Sequence, residues 1–253
     1  MPTAIILGSG TSNGVPMAGF RYSRDYLANP KNHRTRAALL LEGPAGNVLV
    51  DCPPELRLQL TREEIYSLES VIITHTHADH VMGMDDLRSF CILQRSDMPV
   101  LTLEEHQAAI RRIYPYAFPP KPEGIEVPQF DFVPFADHVR MGGMELDLFV
   151  VMHGSMPVIG LRSGGFAYVT DVSYIPPEAE AKLQGLDTLV LDAVRLKPHP
   201  NHFNLEQALA KIEEFRPKKT YLTHLSHDYD HDKTNATLPP GVELAYDGLR
   251  IDF

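Results

Sequence analysis

The sequence predicts an α/β chain in which two mixed sheets pack face to face with helices outside, an αββα sandwich. Three observations predict it. Short apolar, β-branched runs alternate with helical stretches in both halves of the chain, the pattern of sheets covered by helices. Residues able to ligate metal recur where the apolar runs end. Finally, Ile73 to His80 (I-T-H-T-H-A-D-H) is faintly echoed by Leu222 to Asp228 (L-T-H-L-S-H-D), as two similar halves would require.

The first of these stretches carries the chemistry. Val71, Ile72 and Ile73 form an apolar run that suits a buried strand, and Thr74 to His80 (T-H-T-H-A-D-H) follows directly. Residues two apart in an extended chain point to one side, so His75 and His77 can address one metal ion as the strand ends. Asp79 and His80 come after one more step, where a helix begins, and can serve a second ion. A lone buried histidine is usually a hydrogen-bonded core residue; four potential ligands within six residues reverse that expectation.

In chain order, Thr3 to Leu7 reads as an edge or outer strand running into Gly8 to Pro16 (G-S-G-T-S-N-G-V-P). No helix opens behind this G-x-G and the third glycine is misplaced, so a tight turn fits better than a dinucleotide fingerprint. Phe20 to Arg36 is polar and irregular and reads as a solvated loop, with substrate contact the less favoured alternative. Ala37–Glu42 and Val48–Asp51 form two strands joined by a G-P-A-G-N turn, and Pro53-Pro54 opens a helix through about Arg62. Met84–Leu93 is helical in pattern, Val100–Leu103 extended and Glu104–Ile113 an amphipathic helix. Tyr114 to Pro122 (Y-P-Y-A-F-P-P-K-P) cannot be regular; its rings suit a wall of the substrate site, a surface loop or a homodimer contact. Val133–Phe135, Glu145–Met152, Val158–Arg162 and Phe166–Thr170 are strand candidates, with His153 and Asp171 at the ends of the second and fourth. Pro176–Gln184 and Leu205–Phe215 are helices flanking the strand Thr188–Leu191, and Lys219–Thr223 is a last buried strand ending in His224.

Composition bounds the function classes. The 253 residues are 43% hydrophobic and suit one domain, 1–253. The formal charge of −10 argues against binding long nucleic acid, which needs a broad basic surface, and leaves a small anionic substrate open. Cys52 and Cys91 give no disulfide framework and no C-x-x-C pair. No segment approaches the ~20 apolar residues of a membrane span, so a cytoplasmic location is expected.

The H-x-H-x-D-H stretch after a buried strand resembles the signature of the metallo-β-lactamase superfamily, and the resemblance runs through nearly the whole chain. It implies the metallo-β-lactamase fold and two divalent metal ions. His75, His77 and His153 would hold one and Asp79, His80 and His224 the other, with Asp171 bridging. Zinc or manganese suits these ligands, and iron is admissible. Two such ions activate water as hydroxide and stabilise both oxygens of an in-line displacement, with Asp79 beside the reacting centre. Flavo-diiron oxidoreductases typically carry Glu in place of His77, and common zinc β-lactamases Cys in place of Asp171, which disfavours both. Thioesterases of the glyoxalase II type share the whole ligand set.

His202, in P-H-P-N-H-F-N-L just before a helix, resembles an extra active-site histidine of the superfamily's phosphodiesterase branch, to which ribonuclease Z and PhnP belong. There it binds phosphate or protonates the leaving oxygen; a plain helix-capping role is the alternative. The opening loop, L-T-H-L-S-H and the ending L-P-P-G-V-E-L-A-Y-D-G resemble PhnP-type proteins. Those proteins complete a structural zinc with cysteines that Gly19 to Arg36 lacks. No zinc is therefore expected at His227, and Asp228, Asp230, His231 and Asp232 are expected to form an acidic surface loop. The function expected is hydrolysis of a small nucleotide- or sugar-phosphate diester, cyclic ones included. The alternatives are a thioester or lactone hydrolase and a metal-binding module without turnover.

Overall fold

The computed structural model describes residues 1–120 and 124–253. The first half contains β1 (Thr3–Gly8), α1 (Arg24–Ala28), β2 (Ala38–Gly43), β3 (Gly46–Val50) and α2 (Leu56–Arg62). It continues through β4 (Ser70–Ile72), α3 (Ala78–Val81), α4 (Arg88–Gln94), β5 (Met98–Leu101), α5 (Glu104–Ile113) and β6 (Phe130–Val133). The second half contains β7 (His138–Met141), β8 (Met144–His153), β9 (Met156–Ser163), β10 (Phe166–Val169), α6 (Pro177–Lys182) and β11 (Thr188–Asp192). It closes with α7 (Leu205–Phe215), β12 (Lys219–Thr223), α8 (His231–Asn235), β13 (Val242–Leu244) and β14 (Leu249–Asp252).

The strands form two seven-stranded sheets, ordered β14-β1-β2-β3-β4-β5-β6 and β13-β12-β11-β10-β9-β8-β7. Each passes from three antiparallel pairings into three parallel ones. The two-halves expectation therefore holds, but the sequence echo does not mark equivalent strands. It links β4 with β12, whereas by pairing order β4 corresponds to β11.

The period-2 alternation of side chains builds three layers of core. Along β1 and β2, Ala4, Ile6, Leu39 and Leu41 face the other sheet and meet Leu146, Leu148, Ile159 and Leu161. Their neighbours Ile5, Leu7, Ala38 and Leu40 face outward onto Leu56, Leu60, Leu87 and Ile110 of the helical side. On the second sheet, Val169, Leu189 and Leu191 lie in one cluster with Ala179, Ala208 and Phe215 of α6 and α7. This is the αββα sandwich. The hairpin tips of the two sheets touch so closely that a Cβ on Gly43 would fall 2.2 Å from the Gly142 carbonyl oxygen, which restricts that position to glycine. No helix among the described residues is long and apolar enough to cross a membrane.

Several boundaries depart from expectation for identifiable reasons. β1 is interior, because β14 pairs along its outer side with Thr3 opposite Asp252; β14 is four residues long and half polar (Leu249, Arg250, Ile251, Asp252), too little to announce a strand. The strands expected at Val100–Leu103 and Val133–Phe135 begin earlier, at Met98 and Phe130, where they pair in parallel register. Pro53-Pro54 precedes the helix, which starts at Leu56, and the Met84–Leu93 stretch splits into a 3-10 turn (Met84–Leu87) and α4. The 20–36 segment is no solvated loop throughout: it contains α1, and Arg34 is 1% exposed, its Nη1 donating to the Tyr229 carbonyl at 3.3 Å. Likewise the 228–232 stretch is not wholly a surface loop, since Asp230 caps α8 and His231 is buried.

Asp247 joins distant parts of the first layer. Its carboxylate accepts from the backbone and hydroxyl of Ser9 (2.9 Å each) and from the backbone and hydroxyl of Thr35 (2.8 and 2.6 Å), with Arg62 Nη1 at 3.4 Å.

Burial, with Arg34 and Lys31 nearby, pushes the His231 pKa down to about 4, while an unfolded chain protonates near ~6.5. Between those values the unfolded state binds a proton that the folded state refuses, so stability must fall as pH falls through this window. His231→Gln should flatten that slope: the urea midpoint should drop less for the variant than for wild type between about pH 7 and about pH 5. Equal slopes would show that His231 takes its proton inside the fold.

Candidate metal centre

The site lies where β3, β4, β8, β10, β11 and β12 end, and each strand delivers a polar residue just past its last apolar one. Asp51 follows β3, His75 and His77 follow β4, His153 closes β8, Asp171 follows β10, Asp192 closes β11 and His224 follows β12. Asp51, Asp171 and His224 turn the chain with φ of 68°, 53° and 58°, a left-handed conformation uncommon for non-glycine residues and tolerated best by Asp, Asn and His. After His77 the chain enters α3, which places Asp79 and His80 in its first turn.

Two groups of side chains result. His75, His77, His153 and Asp171 bring one ligand-type atom each within 4.8 Å of one another, as do Asp79, His80, Asp171 and His224. Asp171 belongs to both: its Oδ1 lies 3.1 Å from His224 Nδ1 and 3.4 Å from His80 Nε2, and its Oδ2 lies 3.8 Å from His75 Nε2. All seven residues singled out by sequence thus meet in one place, nearly all of them buried.

The outward-facing nitrogens are already engaged. His80 Nδ1–H donates to Asp51 Oδ2 (2.7 Å) and His153 Nδ1–H to the Asn201 carbonyl (2.6 Å). His75 Nδ1 lies 3.1 Å from Thr74 Oγ1, which itself donates to Asp51 Oδ2 (2.8 Å). Such partners fix the tautomer and turn the other ring nitrogen's lone pair toward the centre. There, His75 Nε2, His80 Nε2 and His224 Nδ1 are buried without a hydrogen-bond partner. Orphaned buried imidazole nitrogens converging on carboxylates fit a divalent cation, which would repay their desolvation.

For three of the imidazoles the electrostatics point the same way. Burial, reinforced by His80, pushes the His75 imidazole well below its usual range, and burial also lowers His77 and His153. A neutral imidazole is the form that binds metal. Burial opposes protonation of His80 too, but Asp171, Asp51 and Asp79 together hold it above its usual range. Burial would raise the Asp79 and Asp171 carboxyls; His80 and His224 more than offset it and keep both ionised.

His202 stands beside this cluster. Its ring stacks on His224 (4.9 Å between centroids, 18°) and meets His153 edge-on at 4.3 Å. Its Nδ1–H donates to Asp192 Oδ2 at 2.8 Å, and Asp192 also accepts from the Val172 backbone at 3.0 Å. Burial works against a charge on His202, but the Asp192 carboxylate prevails and raises its pKa. The helix-cap alternative fails, because Asn204 caps α7 in a reciprocal box with Gln207. Asp192 escaped sequence reasoning although L-V-L-D has the same form, an apolar strand closed by a carboxylate, as the strand ends that were recognised.

A cavity of about 700 Å³ opens over the cluster, between the Thr11–Gly14 turn and the loop carrying Arg195, Lys197, His199 and His202. Tyr114, Tyr116 and Phe118 do not line it: Tyr114 Oη donates to the Val81 carbonyl (2.8 Å), Tyr116 Oη to Asp85 (2.9 Å), and Phe118 packs under Arg111. They support α3 and its surroundings from the helical side, and Lys121 and Pro122 of that stretch lie outside the described residues. His227 sits at the cavity mouth against the ring of Phe20 (4.4 Å), and its nearest carboxylate is Asp228 at 3.8 Å.

Residues 46–225 match the β-lactamase superfamily domain. Over 254 aligned residues the chain is 34% identical to an octanoyltransferase of Porphyromonas gingivalis (strain ATCC BAA-308 / W83), covering 97% of this chain and 50% of that protein. The chain therefore spans half the length of this relative. Among solved structures it is similar to a diphosphatase from the PhnP family, with a TM-score of 0.92 and 35% identity, over 100% of this chain and 98% of that one. It also shares the fold of the short form of human tRNase Z, with a TM-score of 0.69 and 19% identity, over 99% and 98% of the two chains. With its paired sheets, its H-x-H-x-D-H turn and its His/Asp clusters, the chain belongs to the metallo-β-lactamase superfamily.

Proposed function

We propose that the chain is a metal-dependent phosphodiesterase acting on a small nucleotide- or sugar-phosphate diester. The observation that carries this reading is His202, held beside the His/Asp cluster by Asp192, whose carboxylate raises its pKa. His75, His77 and His153 would hold one divalent ion and Asp79, His80 and His224 a second, with Asp171 between them. Ions at these positions would polarise the phosphoryl oxygens and lower the pKa of water.

The chain's own residues supply the rest. The Asp192–His202 pair presents a proton at His202 Nε2 toward a departing alkoxide, which leaves badly without one. Asp51 fixes His80 and the Thr74 turn, so the cluster is rigid before substrate arrives. A thioester hydrolase gains little from such an acid, since a thiolate leaves readily unprotonated; this disfavours the glyoxalase II alternative despite its shared ligand set. Acyl transfer of the kind named for the Porphyromonas relative is disfavoured as well. Most of the residues lining the cavity are polar or charged, and Cys52 and Cys91 are buried outside it.

Hydrolysis of a diphosphate linkage is a second reading, favoured by the full-length similarity to the PhnP-family diphosphatase. Arg195 and Lys197 at the rim place positive charge where a second phosphoryl group would lie.

Protein purified without chelator should carry close to two divalent ions per chain by elemental analysis. Their removal should lower the melting temperature, because binding to the folded state alone stabilises it. A repeatable content near zero after supplementation with zinc and with manganese would end the reading.

His202→Ala should retain both ions and slow hydrolysis of a 2′,3′-cyclic nucleotide by ~10²–10⁴-fold, the range for a positioned acid. The loss should be smaller for bis(p-nitrophenyl) phosphate, whose leaving group needs no proton. Asp192→Asn should reproduce that contrast in weaker form. Wild-type rates on both substrates for His202→Ala would remove the phosphodiesterase assignment's main support.

A further inference from the structure

Phe20 is 47% exposed, yet its ring is held between two other rings. Its ring lies 4.4 Å from His227, which lines the cavity, and meets Tyr22 edge-on at 4.8 Å. Tyr22 in turn stacks on Tyr26 (5.1 Å, 30°). Both tyrosines are tethered at their hydroxyls: Tyr22 Oη accepts from the Met17 backbone (2.7 Å) and Tyr26 Oη donates to the Tyr229 carbonyl (3.1 Å). The row Tyr26, Tyr22, Phe20 thus ends in a half-exposed ring that lies against His227, a residue lining the cavity.

Leaving about half of a phenyl ring in water forfeits burial that the three core layers obtain elsewhere. Ordering it there restricts its rotamers as well. What the arrangement does provide is an anchored ring in contact with His227 at the border of a cavity whose volume, about 700 Å³, exceeds that of a bare phosphodiester group. Planar heterocycles are the ligands that benefit from such a face, because stacking needs a flat partner and a preorganised one.

We infer that Phe20, backed by His227, is a nucleobase subsite, so that the substrate is a nucleotide and not a base-free sugar phosphate. This deepens the phosphodiesterase reading and rests on it for the position of the phosphate. The base would stack on the Phe20–His227 pair while its ribose spans toward the His/Asp cluster. No hydrogen bond to a base edge is involved, so purines should be preferred over pyrimidines through ring area alone.

The test has two arms. In steady-state kinetics, Phe20→Ala should raise KM for adenosine 2′,3′-cyclic phosphate by about 5–150-fold, the span of base–aromatic stacking. It should leave kcat on that substrate, and both constants for base-free glycerol 1,2-cyclic phosphate, within about twofold of wild type. Phe20→Tyr should restore the KM. In equilibrium binding, wild type should hold adenosine 5′-monophosphate more tightly than ribose 5-phosphate, and Phe20→Ala should abolish the difference. Equal effects on both cyclic phosphates, or no preference for the adenine compound in wild type, would overturn the subsite. Should wild type hydrolyse neither cyclic phosphate, the phosphodiesterase reading falls, and the binding arm still decides whether the base is recognised.

Discussion

The Asp51 carboxylate is the contact on which the metal cluster depends. Wholly buried at the end of β3, it accepts from the Thr74 backbone (2.8 Å), the Thr74 hydroxyl (2.8 Å) and His80 Nδ1 (2.7 Å). Its first two bonds set the direction in which the chain leaves β4, and therefore where His75 and His77 point. The third sets the ring of His80 after the chain has turned through α3. One side chain outside the cluster thus coordinates three inside it, and the Thr74 hydroxyl extends its reach to His75. A buried carboxylate with such partners is expensive to leave unpaired, which is why the neighbouring backbone has so little freedom.

His202 is organised by the same device on the other sheet. Asp192 ends β11, whose place in its sheet matches that of β4, and accepts from His202 and from the Val172 backbone just after Asp171. The two carboxylates, Asp51 and Asp192, never face the centre. Each orients what does, and together they make the orientation of the site a property of both sheets at once.

Much of this was legible in the sequence, because the signals were local. The ligands follow apolar runs that could only be buried strands, so their convergence required no more than strands ending on one side of a sandwich. The helices α5 and α7 were expected with the bounds they have, Glu104–Ile113 and Leu205–Phe215. What escaped was decided by distant partners. β7 and β14 are short and half polar, and they are strands only because β8 and β1 lie beside them. Arg34 sits in a run of charges that reads as solvated, yet contacts from residues near position 229 bury it. Asp192 had the right local form, but its importance lies in a bond to a histidine ten residues further on.

The Asp247 carboxylate has a mechanical consequence. It binds Ser9 at the end of β1, Thr35 before β2 and Arg62 at the end of α2, while β14 begins two residues after it. The opening turn over the cavity and the closing strand β14 are therefore parts of one cooperative unit, and fraying at either end must release the other. In hydrogen exchange, the amides of Ser9, Thr35 and the β1–β14 ladder should open together, in a single event, although more than two hundred residues separate them along the chain. The turn that borders the substrate cavity thus borrows its rigidity from the far end of the polypeptide.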